Sequence, residues 1–388
     1  MPIDDAEGLH LLLPVTALKA LALPPALDCG PLSPLARIPM PAAPADPQAL
    51  RAALEQADAG TALATLLDPG LLVTLLLDDP LQPALASWIY PDPGGSGEGW
   101  RVEVEGEVLG IGGPVQLTEI AVALQAWLDP AGVAALAPIR LGFKAAEAWT
   151  LLALVDAWEG LQHLRRGLRL PGPPLALSRG DLLQAWTMAC ASGRRGYAVA
   201  RARWLCPDQA PPDVEVTLSP VLDALEQAGL LVQLPGTAER ADDCTLLPTG
   251  SLAALCRLLA EARGFGLLRA ESTPGQVRLD AQLGWRSPAG IAVMDLSRLA
   301  EDHAELLLCG PEVAVPLLGH LLTAHAAPAD DGRLRRRRDE LHARSGVAAL
   351  RADPARLHAP APTSRHCSQC GVSLSPTARY CGNCGAKR

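Results

Sequence analysis

Along the first 330 residues, apolar positions switch repeatedly between the spacing of a helix and that of a strand, and the switches define the elements. In 46–66, Leu50, Leu54, Ala57 and Ala64 share a helical face with Gly60 as its weak point, and Asp68-Pro69-Gly70 stops the run. Three strands are predicted next: 71–77 is continuously apolar, 87–90 is short and aromatic, and 101–105 alternates as a half-exposed strand does. After Gly112-Gly113-Pro114 the helical period returns over 115–128, with Leu117, Ile120, Ala121, Leu124 and Leu128 on one face. A longer amphipathic helix follows over 147–166, carrying Trp149, Leu152, Val155 and Leu164, with Arg165 and Arg166 favourable at its C-terminal end.

A similar order returns further on. The pattern predicts a helix at 251–262, strands at 267–270, 277–285, 291–295 and 305–309, then Gly310-Pro311 opening a helix over 312–323. GIGGPVQLTEIAVALQAWL and LLCGPEVAVPLLGHLLTA each place a strand before Gly-Pro and a leucine-rich helix after it, which suggests an internal duplication. The expected fold class is α+β, with duplicated antiparallel sheet-plus-helix lobes, as two sheets or one composite sheet, helices covering one face. Between the copies, 171–174 marks a boundary, and helices are predicted at 178–191, with Ser178 as cap and Asp181 at the capping-box position, and at 218–228. A hairpin of 230–234 and 244–247 follows. The expected domains are an N-terminal arm (1–45), a first lobe with its long helix (46–170), a helical module (171–250), a second lobe (251–327), an Arg-rich linker (328–363) and a terminal domain (364–388).

The module's run LDALEQAGLLVQL...CTLLPTG resembles the recognition helix and wing of winged-helix domains, over about 178–250. Such domains read DNA with basic or amide side chains on that helix, but the polar positions here are Asp223, Glu226 and Gln227, and the wing loop carries Glu239, Asp242 and Asp243 against Arg240. A structural or protein-binding use is expected instead. The strand-Gly-Pro-helix lobes are similar to chaperones associated with bacterial type VII secretion.

At 388 residues and 49% apolar content the chain supports a substantial core. Its net charge of −9 hides two opposed regions: 333–388 holds 12 basic and 3 acidic residues, a net of +9, leaving −18 on the rest. Much of the positive charge lies in Arg333, Arg335, Arg336, Arg337 and Arg338, a candidate contact for nucleic acid, anionic lipid or another acidic protein; a solvated linker helix, or one folded onto the acidic body, is the alternative. The apolar stretch 11–27 lacks the basic flank of a signal peptide and is broken by Pro14, Pro24 and Pro25, and no segment predicts a membrane span.

The densest chemistry is at the C-terminus. Cys367-x2-Cys370 and Cys381-x2-Cys384 are two knuckles ten residues apart, each followed by glycine (Gly371, Gly385), and together they supply a closed tetrahedral thiolate shell for one structural Zn2+. The tail HCSQCGVSLSPTARYCGNCGAKR resembles the small zinc-ribbon domain appended to many bacterial proteins, with Tyr380 as the aromatic before the third cysteine; the resemblance covers 367–388. Two disulfides are the alternative pairing, and His366 is read as a neighbour rather than a ligand. The six other cysteines have no paired spacing, and reduced thiols beside a thiolate site point to the cytoplasm.

No Gly-Lys-Ser/Thr or His-Glu-x-x-His occurs. Asp78-Asp79-Pro80 is a weak cation candidate and Trp285-Arg286-Ser287 a weak ligand contact; turns explain both. The expectation is a non-catalytic cytoplasmic adaptor with protein partners. The alternative is a nucleic-acid-binding regulator that uses the winged helix, the Arg-rich tail and the ribbon.

Overall fold

The computed structural model describes residues 9–14, 16–17, 30–34, 47–78, 84–94, 97–105, 108–170, 176–192, 197–235, 244–273, 275–323, 365–366 and 373–374. The chain divides into two compact units, Met1–Ser345 and Gly346–Arg388. The fold is mixed α+β and is dominated by one large antiparallel sheet.

The first unit begins with strand β1 (Leu9–Pro14), which lies at the sheet edge with Leu11 and Leu13 buried and Leu12 exposed. The helix expected over 46–66 is two helices, α1 (Pro47–Leu54) and α2 (Ala59–Leu67). The break falls at Asp58, whose φ of 61° is left-handed, and not at Gly60, which is buried inside α2.

Four strands follow: β2 (Leu71–Leu77), β3 (Ala84–Tyr90), β4 (Gly99–Glu105) and β5 (Val108–Val115). Helix α3 (Leu117–Leu128) then crosses one face. Strand β6 (Ile139–Phe143), absent from the sequence expectation, leads into the long α4 (Ala145–Gly167).

The middle of the chain forms a separate three-stranded sheet. Its elements run β7 (Leu177–Ser178), α5 (Arg179–Ser192), α6 (Ala198–Leu205), α7 (Val214–Gln227), β8 (Leu231–Leu234) and β9 (Thr245–Pro248), with strand order β7-β9-β8. The expected cap on α5 is present in both directions. Ser178 N donates to Asp181 Oδ2 at 2.8 Å, and Asp181 N donates to Ser178 Oγ at 3.0 Å.

The remaining elements are α8 (Gly250–Leu259), β10 (Arg263–Thr273), β11 (Gln276–Ser287), β12 (Gly290–Asp295), β13 (Ala304–Cys309) and α9 (Pro311–Thr323). The large sheet has ten strands in the order β1-β5-β4-β3-β2-β10-β11-β12-β13-β6. Strands β2 and β10 pair antiparallel from Phe265↔Leu77 to Glu271↔Leu71, so the order runs outward alike on both sides of this seam.

Both faces of the seam are covered, which is why β2 is continuously apolar instead of alternating. On one face α3 and α9 bury Val73, Leu75, Phe265, Leu267 and Val293. On the other, α4 to α8 share a core with Leu268, Ala281, Leu283 and Trp285. The one polar residue of β2, Thr74, is matched across the strand pair by Ser87, Oγ1 to Oγ at 3.1 Å. Arg269 and Glu271 of β10 form a buried ion pair whose arginine also donates to Leu321 O at 2.7 Å and Pro93 O at 3.2 Å, tying the seam to α9 and to the loop after β3.

A Cβ on Gly284 of β11 would stand 2.2 Å from the Phe265 ring and 2.8 Å from Ala292 O, and Phe265 in turn meets the Trp127 ring edge-on at 5.9 Å. Gly284→Ala is therefore expected to lower unfolding free energy by about 2 kcal/mol through overpacking. Gly160, in the interior of α4 with nothing within 4 Å of a Cβ, gives the opposite sign. Gly160→Ala is expected to stabilise by about 0.5–1 kcal/mol. Denaturant titration of the two variants checks both signs.

Candidate functional site

Two regions carry chemistry. The first is a cleft between the C-terminal half of α4, the end of β2 and the turn leading into β10. Residues Glu159, Gln162, His163 and Arg166 recur at spacings of three and four, so they share one face of α4, and Asp78 and Glu261 lie across from them; the cavity is about 440 Å³. Helix α4 is tied to the far wall by its own donors. Gln162 Nε2 donates to Ala260 O at 2.9 Å, and Arg166 Nη2 donates to the same carbonyl.

At the inner end of the cleft stands Arg201 of α6, 1% exposed, with Nη2 3.3 Å from Asp78 Oδ2. The guanidinium lies against the backbone of Gly264, where a Cβ would sit 1.6 Å from Nη1. Helix α6 is fixed at its start by Asp156 of α4, which accepts Ala198 N at 2.5 Å and Val199 N at 3.1 Å. Three carboxylates, Asp78, Asp156 and Glu159, thus surround one buried arginine.

Their environment shifts two of them. Burial pushes Asp156 up to about 7 despite the two backbone N–H groups and Arg201, which favour its ionised form. Burial also pushes Glu159 up to about 7; Arg201 opposes the shift, while Asp156 and Asp78 add to it. The indole of Trp285 favours ionised Glu159 without completing a hydrogen bond. Sequence reasoning did not find this site, because Arg201 interrupts the apolar period of α6 and its carboxylates come from two distant places, α4 and the end of β2. Only Asp78 was singled out, and it serves as the partner of Arg201. Asp79 and Pro80 lie outside the described residues.

The other weak candidate has a structural role. Arg286 donates to Leu128 O at 2.7 Å and to Asp129 Oδ2 at 3.1 Å, closing the C-terminus of α3, while Trp285 is fully buried and Ser287 Oγ accepts Ala289 N at 3.1 Å. In the helical module, Asp223 Oδ1 and Glu226 Oε2 accept Gln233 Nε2 at 3.0 and 3.2 Å, and Glu226 Oε1 accepts Gln233 N at 2.9 Å. These carboxylates fasten α7 to β8.

The second region is the C-terminal unit. Strands β14 (Arg365–His366) and β15 (Ser373–Leu374) pair antiparallel, so the chain reverses across the segment that contains the first Cys-x2-Cys knuckle. That reversal and a set of four thiols fit a zinc ribbon. Cys367, Cys370, Cys381 and Cys384, and Arg333 and Arg335 to Arg338, lie outside the described residues. Among the described residues no group of three His, Cys, Asp or Glu side chains converges on a metal-sized site. Among the described residues, Cys190, Cys206, Cys244, Cys256 and Cys309 form no disulfide; burial pushes Cys256 up to about 12 and Cys309 up to about 11. No described helix is long and apolar enough to cross a membrane.

Residues 366–388 match the zinc-ribbon domain model, and this region is a zinc-ribbon, zinc-binding domain. No curated protein matches the chain. Among solved structures, the chain is similar to one from "Structure of the Mycobacterium tuberculosis type VII secretion system chaperone EspG5 in complex with PE25-PPE41 dimer" at 12% identity, with a TM-score of 0.37, covering 83% of this chain and 99% of that one.

The titrations of Asp156 and Glu159 fix a sign for stability against pH. Both are raised, so between about pH 4 and 7 the folded chain holds protons that the unfolded chain has lost. Stability is therefore expected to fall as pH rises through this window and to level off above it. Asp156→Asn should remove about half of the slope, as measured by thermal melts from pH 4.5 to 8. An unchanged slope would show that Asp156 titrates normally.

Proposed function

We propose that the chain is a non-catalytic, chaperone-like adaptor of the cytoplasm, in which the acidic α+β body engages a protein partner and the zinc ribbon engages a second surface. One observation carries most of this reading: the zinc-ribbon match falls within residues 346–388, a compact unit of its own apart from the body. Cys367, Cys370, Cys381 and Cys384 would hold one Zn2+, whose chemistry here is structural. A closed thiolate shell leaves no coordination position for water. The described cysteines of the body, none of them in a disulfide, support a reducing compartment.

The body's own architecture supports the same reading. A helix, four strands and a Gly-Pro-led helix occur in the same order on each side of the β2–β10 seam, which favours descent from a duplicated lobe. Strand order β7-β9-β8 around α5 to α7 favours a winged-helix-like module. With Asp223 and Glu226 committed to Gln233, the face of α7 that they occupy is used to hold the hairpin rather than to meet phosphates.

Metal analysis of the reduced protein is expected to find about one zinc per chain, and Cys381→Ser is expected to remove it. In affinity capture, deleting 333–388 should lose a distinct subset of partners. Identical sets with and without that segment would remove the tail from the proposal. Duplex binding at low salt that flattens with salt on replacing Arg335 to Arg338 would put the nucleic-acid regulator in its place.

A further inference from the structure

The geometry points to the α4 cleft as a binding site for an alkylguanidinium or alkylammonium group, carried by a small amine or by an arginine or lysine side chain. The first reason is the charge at its inner end, where Asp78, Asp156 and Glu159 stand around the single buried cation Arg201. An anion reaching that end would meet Asp78 and two carboxyls that burial already pushes up to about 7, a place that resists further negative charge. A cation would offset the surplus.

The second reason is hydrogen-bonding capacity. Glu159, Asp78 and Gln162 all line the cleft; Gln162 Nε2 is committed to Ala260 O, while its buried Oε1 has no hydrogen-bond partner. The wall therefore offers unspent acceptors. Of the arginines at the cleft, Arg166 is committed to Ala260 O and Arg201 to Asp78. A group with several N–H donors and one positive charge satisfies both the charge and the acceptors. The volume of about 440 Å³ suits a ligand of that size, near the lower end of small-molecule sites.

Glu159 is faced by Arg201 from α6, Asp78 from β2, Trp285 from β11 and Asp156 from its own helix, with His163 and Arg166 along the same face and Glu261 and Arg263 across the cleft. Cation binding stabilises the carboxylate, so binding should release a proton and tighten as pH rises through 7.

Calorimetric titration of agmatine into the full-length zinc-loaded chain tests this, with butyrate as the anionic control. The expected result is binding by agmatine and not butyrate, about tenfold tighter at pH 8 than at pH 6. Glu159→Gln should weaken it at least about tenfold; the neutral amide mimics the protonated acid the fold already tolerates, and a thermal melt checks folding. The pH comparison needs no variant. A full-length chain with Arg335 to Arg338 replaced by serine separates the sources. Agmatine binding only to that variant makes the chain's own arginines the resident group, and equal binding to both makes the ligand external. No heat with either chain at about 10 mM agmatine, or affinity indifferent to both pH and Glu159→Gln, overturns the proposal.

Discussion

The antiparallel pairing of β2 with β10 is the constraint on which the rest of the body depends. Seven consecutive residue pairs join two five-stranded halves into one sheet, and β2 brings an almost wholly apolar strand to the joint. Left apart, the first half would present an open edge of leucines and valine, which is unstable in water and prone to pair with other chains. Once joined, the seam needs cover on both faces. Helices α3 and α9 supply one layer and α4 to α8 the other. The Arg269–Glu271 pair then carries the seam's order outward to α9 and to the loop at Pro93.

Local elements were largely legible because their signals are local. Gly-Pro before α3 and α9, the Ser178–Asp181 cap and the apolar run of β2 each state their structure within a few residues. What the sequence left open was pairing over distance. Whether the repeated units made one sheet or two turns on a contact between residues nearly 200 positions apart, and no periodicity encodes that. β6 was missed because an edge strand of five residues with an arginine and a glycine looks like a connection. It joins the sheet through β13, where Arg140 pairs with Glu305. The α1–α2 break was misplaced because glycine is the usual weak point of a helix, whereas Asp58 supplies the left-handed turn.

The cleft illustrates the same limit in chemical terms. Arg201 alone reads as an exposed helical cation, and Gly264 as an ordinary strand residue. Their meaning is joint: the absent Cβ at 264 is the space in which the guanidinium lies. The cost of burying that charge is met by carboxylates from β2 and α4, which have come from some 40 to 120 positions away in sequence. The proposed zinc ligands are legible in the sequence instead, because four thiols in two Cys-x2-Cys pairs form a local pattern with one common chemical use.

That contrast separates how the two units are held. The body can lose a contact and keep its fold, since burial is spread over a sheet of ten strands and two helical layers. The ribbon has 23 matched residues, too few to exclude water from a core of their own, so the free energy of metal binding has to serve as its folding free energy. Its shape is consequently conditional on zinc and on reduced thiols, while the body's is not. Replacing one ligand removes the fourth bond and, with it, most of what holds the ribbon together. The body, whose seam and helical layers are held by strand pairing and apolar burial, should keep its melting transition, so loss of partner binding on that replacement would be assigned to the ribbon alone.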